Sequence, residues 1–500
     1  MSDLTRPLLI KSGRILDIAS NMDNPPKQDL LVRNGRIEAI GGSASAEGGR
    51  SDVDVIDAEG HLVIPGLVNA HYHSHDTLLR GMFEQLPLDA WMLYTSPAHY
   101  PRLSSELIQT RTALGASECL LNGITTIQDM VSIVGSDQDH VEEIVQSYEQ
   151  IGIRAVLALQ LSDRAACDCV AYWDSLPERT LRCLPAASDP DEQIRFVERT
   201  LEIKSELVTW GLGPSAPQRC SKELLKGFAR LSRERGLQVF THTYESRAQA
   251  VLARLKFPEK SLIQHLAEVG LLGPRLSIAH GVWISRSEIT RLGDHGANLV
   301  CNPTSNLKLL NGFAPVLDYA DAKINIGLGC DNCSGNDAQN PFEAMKTFAL
   351  MWGMYAGVSG NGAAKEAFTA ATAGSARAIG LGDQVGRLLP GYRADIVLID
   401  LSQPNYRPMN SAVRQLVYGE TGRGITKVIV EGKVVVDNGN VLSPASHDLK
   451  ARAEHAKDQL ATSIDDLRHK NSPIISDILE AYERANRFPL DFDRFLLRRQ

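Results

Sequence analysis

Apolar residues recur along this chain in two rhythms. Over the first 65 residues they come in short runs separated by turn dipeptides, as in "PLLIKSGRILD", "DLLVRNGRIEAIG" and "DVIDAEGHLVIPG". Asn34-Gly35, set between "LLVR" and "RIEAI", predicts a hairpin. "RADIVLIDL" and "ITKVIVEGKVVVDNG" near the other end have the same character, with a turn at Glu431-Gly432. Strand-rich segments at both ends of a long middle predict one small β domain assembled from the two termini.

The middle alternates short apolar runs with longer amphipathic ones. Eight candidate strands follow in order: "HLVIPGLVNAH", "GITTIQDM", "RAVLALQ", "VTWGLGPSAP", "LQVFTHTYE", "LSIAHGV", "ANLVCNPTSN" and "INIGLGCDN". Helical stretches such as "SSELIQTRTALGASECLLN" and "SKELLKGFARLSRERG" lie between several of them. Eight β–α alternations over about 300 residues predict a TIM barrel, with an open doubly wound sheet as the alternative. The polar residues favour the barrel, because His71, His73, His242, His280 and Asp331 all fall at strand ends, which a barrel brings to one face. The expected architecture is therefore α/β: a (β/α)8 barrel over residues 66–384, a composite β-sandwich from 1–65 plus 385–445, and a helical extension over 446–500. In the extension, "HDLKARAEHAKDQLATSIDDLRHK" and "ISDILEAYERANRF" read as helices, expected to pack on the barrel or join an oligomer rather than form a lid.

Composition narrows the class. Of the 500 residues 43% are hydrophobic, enough for a large core. A net charge of −8 argues against nucleic-acid binding through a broad basic surface. No run approaches the roughly 20 apolar residues of a membrane span, and the N-terminus lacks a signal-peptide apolar run. Most of the eight cysteines lie far apart, and Cys167 and Cys169 are too isolated for a zinc site. A cytoplasmic protein is expected, acting on a small molecule without nucleic acid or membrane.

The candidate chemistry starts at "NAHYHSHDTLLRG". On a strand, His71 and His73 point to the same face and can reach one ion. Imidazole suits zinc and similar metals. An HxH triplet is weak by itself. It gains weight from His242 in "FTHTYES", His280 in "IAHGVW" and Asp331 in "IGLGCDNCSGND". Three neutral histidines and a carboxylate make a mononuclear site with a position left for water.

The ordered set "PGLVNAHYH", "THTYE", "AHG", "NPTSNLKLLNG", "GLGCDN" and "GRLLPGYRADIVLID", spread over roughly residues 8–445, resembles the amidohydrolase superfamily. Within it, the set is similar to the cytosine deaminase-like branch, which includes adenosine-type deaminases and triazine hydrolases. The resemblance implies a (β/α)8 barrel with a composite β-sandwich and metal ligands at His71, His73, His242 and Asp331. It also implies His280 against the activated water or substrate, and Glu245 as the acid/base group. Asp331 would share in accepting the proton of the water. Binuclear members supply an anionic bridge from strand 4. Here that strand ends "GLGPSAPQ" without Lys or Glu, so one divalent ion is expected, zinc by default, with iron, cobalt or manganese as alternatives. Similar proteins are dimers or tetramers, so a homo-oligomer is expected.

The expected activity is hydrolysis of an exocyclic C–N bond on a small nitrogen heterocycle. The alternative is a linear amide, urea or carbamate, including xenobiotic ones. A non-catalytic scaffold is disfavoured because no ligand is missing. Adenosine-type deaminases of the branch commonly carry a histidine after strand 4 where this chain has Ser215, which argues away from a nucleoside-like substrate. His75 and Asp76 stand where an apolar pair is common; they either line the pocket beside Trp91 or anchor the first loop. Gln160, Ser215, Gln218, Ser305 and Asn306 are further candidate substrate contacts. Turn chemistry alone accounts for "NPTSN", and Cys330 and Cys333 are read as packing residues.

Overall fold

The computed structural model describes residues 6–46, 51–96, 100, 102–357 and 361–495. Residues 1–5 of the expected β domain and 496–500 of the helical extension lie outside the described residues.

Strands from both termini do join. Leu8–Ile15, Lys27–Arg33, Arg36–Ile40, Asp54–Asp57 and His61–Pro65 share one sheet with Ile396–Asp400, Ile425–Val430, Lys433–Asp437 and Asn440–Val441. The seam is His61–Pro65, where Val63 pairs in parallel with Ile15 and antiparallel with Leu398. Both predicted hairpins form, with Arg33 opposite Arg36 and Val430 opposite Lys433. Ile10, Leu30, Val32, Val63, Ile396 and Ile429 bury one apolar face. Hydrogen bonding links the nine strands into one continuous sheet.

The eight middle strands appear in the expected order, alternating with helices. They are Leu67–His73, Ile124–Val131, Arg154–Leu161, Val208–Trp210 (continued at Gly213–Pro214), Val239–Thr243, Leu276–His280, Asn298–Cys301 and Asn325–Leu328 (continued at Asp331–Asn332). All their pairings are parallel. The ladder is not one closed ring. It divides into a sheet holding the first four strands plus Asp331–Asn332, and a sheet holding the fifth to eighth. One isolated bridge, Leu212 to Val239, crosses the first gap. Pro214 has no N–H to donate, which shortens the ladder there. At the other gap, Asp331 pairs with Tyr72.

The predicted helices form over Ser105–Leu121 and Lys222–Arg235, capped by Ser104 and Ser221. Their inner faces join the strands in a core that includes Cys119, Ile127, Leu157, Leu224 and Phe228. The tail forms two helices. Leu449–Asn471 packs Ala456 and Leu460 against Leu107. Ile475–Arg487 places Ile478, Ala481 and Ala485 in a cluster with Leu93 of helix Leu88–Thr95 and Val251 of helix Arg247–Lys256. No described helix is long and apolar enough to cross a membrane.

Candidate metal centre and cavity

Strand alternation sends His71 and His73 one way and Tyr72 the other, where its hydroxyl meets Thr77 Oγ1 at 3.2 Å. The two imidazoles meet His242 and Asp331 in one buried set. His73 Nε2 lies 3.1 Å from His71 Nε2 and 3.3 Å from His242 Nε2. Asp331 Oδ1 lies 3.5 Å from His71 Nε2 and 3.4 Å from His73 Nε2. Four ligands at zinc's usual bond lengths lie about 3.3–3.4 Å apart on a tetrahedron. These four separations lie close to the spacing that one small ion requires.

The outer ring nitrogens fix which atoms face inward. His73 Nδ1–H donates to Met130 O at 2.6 Å and His242 Nδ1–H to Ser215 O at 2.7 Å. Both Nε2 atoms are left as lone-pair donors, the arrangement that metal-binding histidines need. Burial, followed by the neighbouring imidazoles, holds the pKa of His71 and of His242 well below the usual histidine value, so both rings are neutral. Burial alone would raise the Asp331 carboxyl, but His280, His73 and the Ser305 hydroxyl keep it below its ordinary value. Close approach of backbone completes the cradle: a Cβ on Gly329 would sit 2.3 Å from Asn302 Oδ1 and 2.7 Å from His71 Cβ.

Beside this set stand two proton-handling groups. His280 Nε2 faces Glu245 Oε2 at 3.7 Å and Asp331 Oδ2 at 3.9 Å, and has no hydrogen-bond partner of its own. Its Nδ1–H donates to Asn306 Oδ1 at 2.8 Å. Burial raises the Glu245 carboxyl, with His280 pulling it down and Asp331 pushing it up. His280 and Asp331 hold left-handed backbone conformations, with φ of 73° and 67°. Such conformations in residues other than glycine cost energy and concentrate at functional sites.

His73, His242, Glu245, His280 and Asp331 open onto a cavity of about 540 Å³. Of the candidate substrate contacts, His75, Trp91, Gln160 and Ser215 line it. Asp76, Gln218, Ser305 and Asn306 are not among its lining residues; of the two roles expected of Asp76, anchoring the first loop is the one its hydrogen bonds fit. Asp76 is wholly buried and accepts from Cys333 N and Ser334 N, each at 3.0 Å, so it ties the first loop to the last. Gln218 is also fully buried. Ser305 donates to Asp331 Oδ2 at 2.5 Å, and Asn306 holds His280. The two act through site residues rather than on the cavity.

Sequence reasoning missed three residues. Asn311 Nδ2 donates to Glu245 Oε1 at 3.2 Å. Arg219 lines the cavity with Nη1 3.5 Å from Ser215 Oγ. Asp89 is buried, with its charge felt by Arg219 and Glu245. Asn311 lies within the quoted "NPTSNLKLLNG"; the other two carry no sequence signal beyond being charged residues in loops and helices near strand ends.

An α/β chain with a buried His₃Asp set at its strand ends belongs to the metal-dependent hydrolases in outline. Comparison narrows this: the model of the amidohydrolase family matches residues 62–435, and the chain belongs to that family. It is a hydrolase acting on carbon–nitrogen bonds other than peptide bonds. It is 31% identical over 429 residues to a 5-methylthioadenosine/S-adenosylhomocysteine deaminase of Thermococcus kodakarensis, covering 86% of this chain and 94% of that one. Among solved structures it resembles an adenosine deaminase from Xanthomonas campestris with bound zinc (TM-score 0.79, 26% identity, 91% of this chain and 98% of that one). It also shares its fold, of TIM-barrel type, with atrazine chlorohydrolase from Arthrobacter aurescens TC1 (TM-score 0.77, 22% identity, 90% of this chain and 100% of that one).

Proposed function

We propose that the chain is an aminohydrolase that removes an exocyclic amino group from a small nitrogen heterocycle, using one divalent ion held by His71, His73, His242 and Asp331. The observation that carries this reading is the placement of Glu245 and His280, 3.7 Å apart, beside the four ligand atoms on the wall of one cavity. The donor set favours zinc, with iron, cobalt and manganese as alternatives. When bound, the ion makes water a nucleophile at neutral pH.

The chain's own groups then move protons. Asp331 Oδ2 and His280 Nε2 orient the water and take its proton. Glu245 gives a proton to a ring nitrogen, making the adjacent carbon electrophilic, and takes one back from the new hydroxyl; the proton held by Asp331 or His280 passes to the departing amine. A C–O bond forms, the C–N bond breaks and ammonia leaves. His75, Trp91, Gln160 and Ser215 hold the ring and its substituent. The likeness to a deaminase of adenosine-type compounds supports a purine-like ring over a linear amide. It outweighs the argument from Ser215, a single position.

The same reading takes the two parallel sheets as arcs of one (β/α)8 barrel over residues 66–384. It takes 1–65 with 385–445 as a two-layered β domain, and 446–500 as the extension. Eight unpaired cysteines support a reducing, cytoplasmic setting. Leu350 and Met354, one turn apart and 54% and 70% exposed on helix Pro341–Ala356, support a homo-oligomer.

The test is ammonia release by protein loaded in turn with Zn²⁺, Fe²⁺, Co²⁺ and Mn²⁺. The panel comprises purines and their nucleosides, pyrimidines, pterins, triazines, arylureas and carbamates. Turnover confined to amino-heterocycles is expected. Turnover confined to arylureas or carbamates would replace this reading with amide-type hydrolysis.

A further inference from the structure

One loop holds both proton-handling side chains. Asn306 Oδ1 accepts from His280, Asn311 Nδ2 donates to Glu245, and Asn311 N donates to Asn306 O at 2.8 Å. The far side of this loop is fixed by Trp283, whose Nε1–H donates to Asn311 O at 2.6 Å. Trp283 is itself held by the end of the tail. Arg494 spans it, donating from Nε to Val282 O at 3.1 Å and from Nη2 to Ile284 O at 2.8 Å. The Phe495 ring meets the Trp283 ring edge-on, with centroids 5.1 Å apart. The Arg247 guanidinium lies over the indole at 4.8 Å and donates to Phe488 O at 2.6 Å. Arg494 O accepts from Phe313 N at 2.9 Å, and a Cβ on Gly312 would sit 2.7 Å from that same oxygen. A side chain at 312 cannot coexist with the tail in this position.

No residue of 488–495 lines the cavity. The tail therefore reaches the chemistry only through others. We propose that residues 488–495 form a strap that positions Glu245 through Trp283 and Asn311, with Arg494 as the positioning residue. A carboxylate that must serve two proton transfers in turn gains from being held, because misplacement by about 1 Å can cost up to ~10²-fold in rate. The kinetic part of this inference rests on the aminohydrolase reading; the structural part does not.

The experiment compares full-length wild type with Arg494→Ala, Arg494→Lys and Gly312→Ala. It reads kcat and KM per metal-loaded site, and hydrogen exchange over residues 306–313. Arg494→Ala and Gly312→Ala are expected to lower kcat about tenfold or more with KM little changed, and to speed exchange in that loop. Arg494→Lys should recover part of the loss. Gly312→Ala disturbs the loop by two routes, the clash with Arg494 O and its own φ of +101°, so where Arg494→Ala fails to fold the decision falls to Arg494→Lys. Wild-type kcat per site together with unchanged exchange in the folded variants overturns the strap, as does an activity loss that only tracks the folded fraction. A wild type inert on every substrate overturns the aminohydrolase reading, and the exchange measurement then decides the strap alone.

Discussion

Ser334 Oγ donates to Asp76 Oδ2 at 2.5 Å, and the same hydroxyl accepts from Trp91 Nε1 at 3.1 Å. A residue after the last strand thus joins the carboxylate after the first strand to an indole on the cavity wall. Asp76 takes three hydrogen bonds in all from Cys333 and Ser334, all of them buried. An ionised acceptor suits three donors; an amide does not. Asp76→Asn turns an NH₂ toward at least one backbone N–H, and we expect a loss of about 2 kcal/mol or more in stability. Thermal or urea midpoints check this. An unchanged midpoint would contradict the anchoring role.

Glu245→Gln keeps the shape of the side chain and its bond from Asn311 but cannot carry a proton. Metal content should stay at the wild-type level while turnover falls by about 10²–10⁴-fold. Parallel metal analysis and steady-state kinetics separate the two quantities. A variant retaining full turnover would remove Glu245 from proton transfer.

His242→Ala removes one of the four inward-facing atoms. Loss of an outer hydrogen-bond partner alone typically weakens metal binding 10–100-fold, so losing a ligand should cost more than about 100-fold. Competition with a chelator measures it. Metal held as tightly as in wild type would exclude His242 from the coordination set.

Strand-end histidines were legible because period-two alternation and the parallel strand order are properties of the sequence itself: His71, His73, His242, His280 and Asp331 need only the barrel-like order to converge. The residues that support them were not. Asn311 reaches Glu245 from 66 positions away through a loop whose path no periodicity encodes. Arg219 and Asp89 lie on two separate helix–loop segments, and only the fold brings their charges within influence of each other. Asp76 could be read either as a pocket residue or as an anchor, since the sequence does not record that Cys333 and Ser334 turn their N–H groups toward it. The break in the parallel ladder is written as Pro214, yet its effect depends on which neighbour the N–H would have met. The tail's helices were expected from composition, whereas their seat on the loops around Trp283 depends on tertiary packing.

Arg154, on the third parallel strand, pairs with Asp395 at 3.3 Å, and both side chains are nearly inaccessible to solvent. Asp395 also accepts from Glu431 N at 2.9 Å, so it joins the terminal sheet to the parallel strands. Asp395→Ala leaves Arg154 facing only Glu431 and should destabilise the chain by about 3–5 kcal/mol. Turnover per folded molecule should be unaltered, because the pair lies outside the cavity lining. Denaturation midpoints with kinetics on the remaining folded protein test both halves.

Asp89 is 2% exposed and its Oδ2 has no hydrogen-bond partner. Burial pushes its carboxyl up to about 7, against the pull of Arg219 and with the push of Glu245. Unfolded, the group titrates near its ordinary value of 3.8. Between those two values the folded chain keeps a proton that the unfolded chain releases. The contribution of Asp89 to stability is therefore complete below about pH 4, declines as pH rises and is gone above about 7, where folding must bury a charge. Asp89→Asn cannot ionise and escapes that decline. Its stability relative to wild type should climb from pH 4 to pH 8 by roughly 4 kcal/mol, at 1.36 kcal/mol per pH unit. Melting temperatures of the two proteins across that range give the difference directly, since every other titrating group is shared. Curves that run parallel would mean that Asp89 ionises in the folded protein as readily as in the unfolded chain.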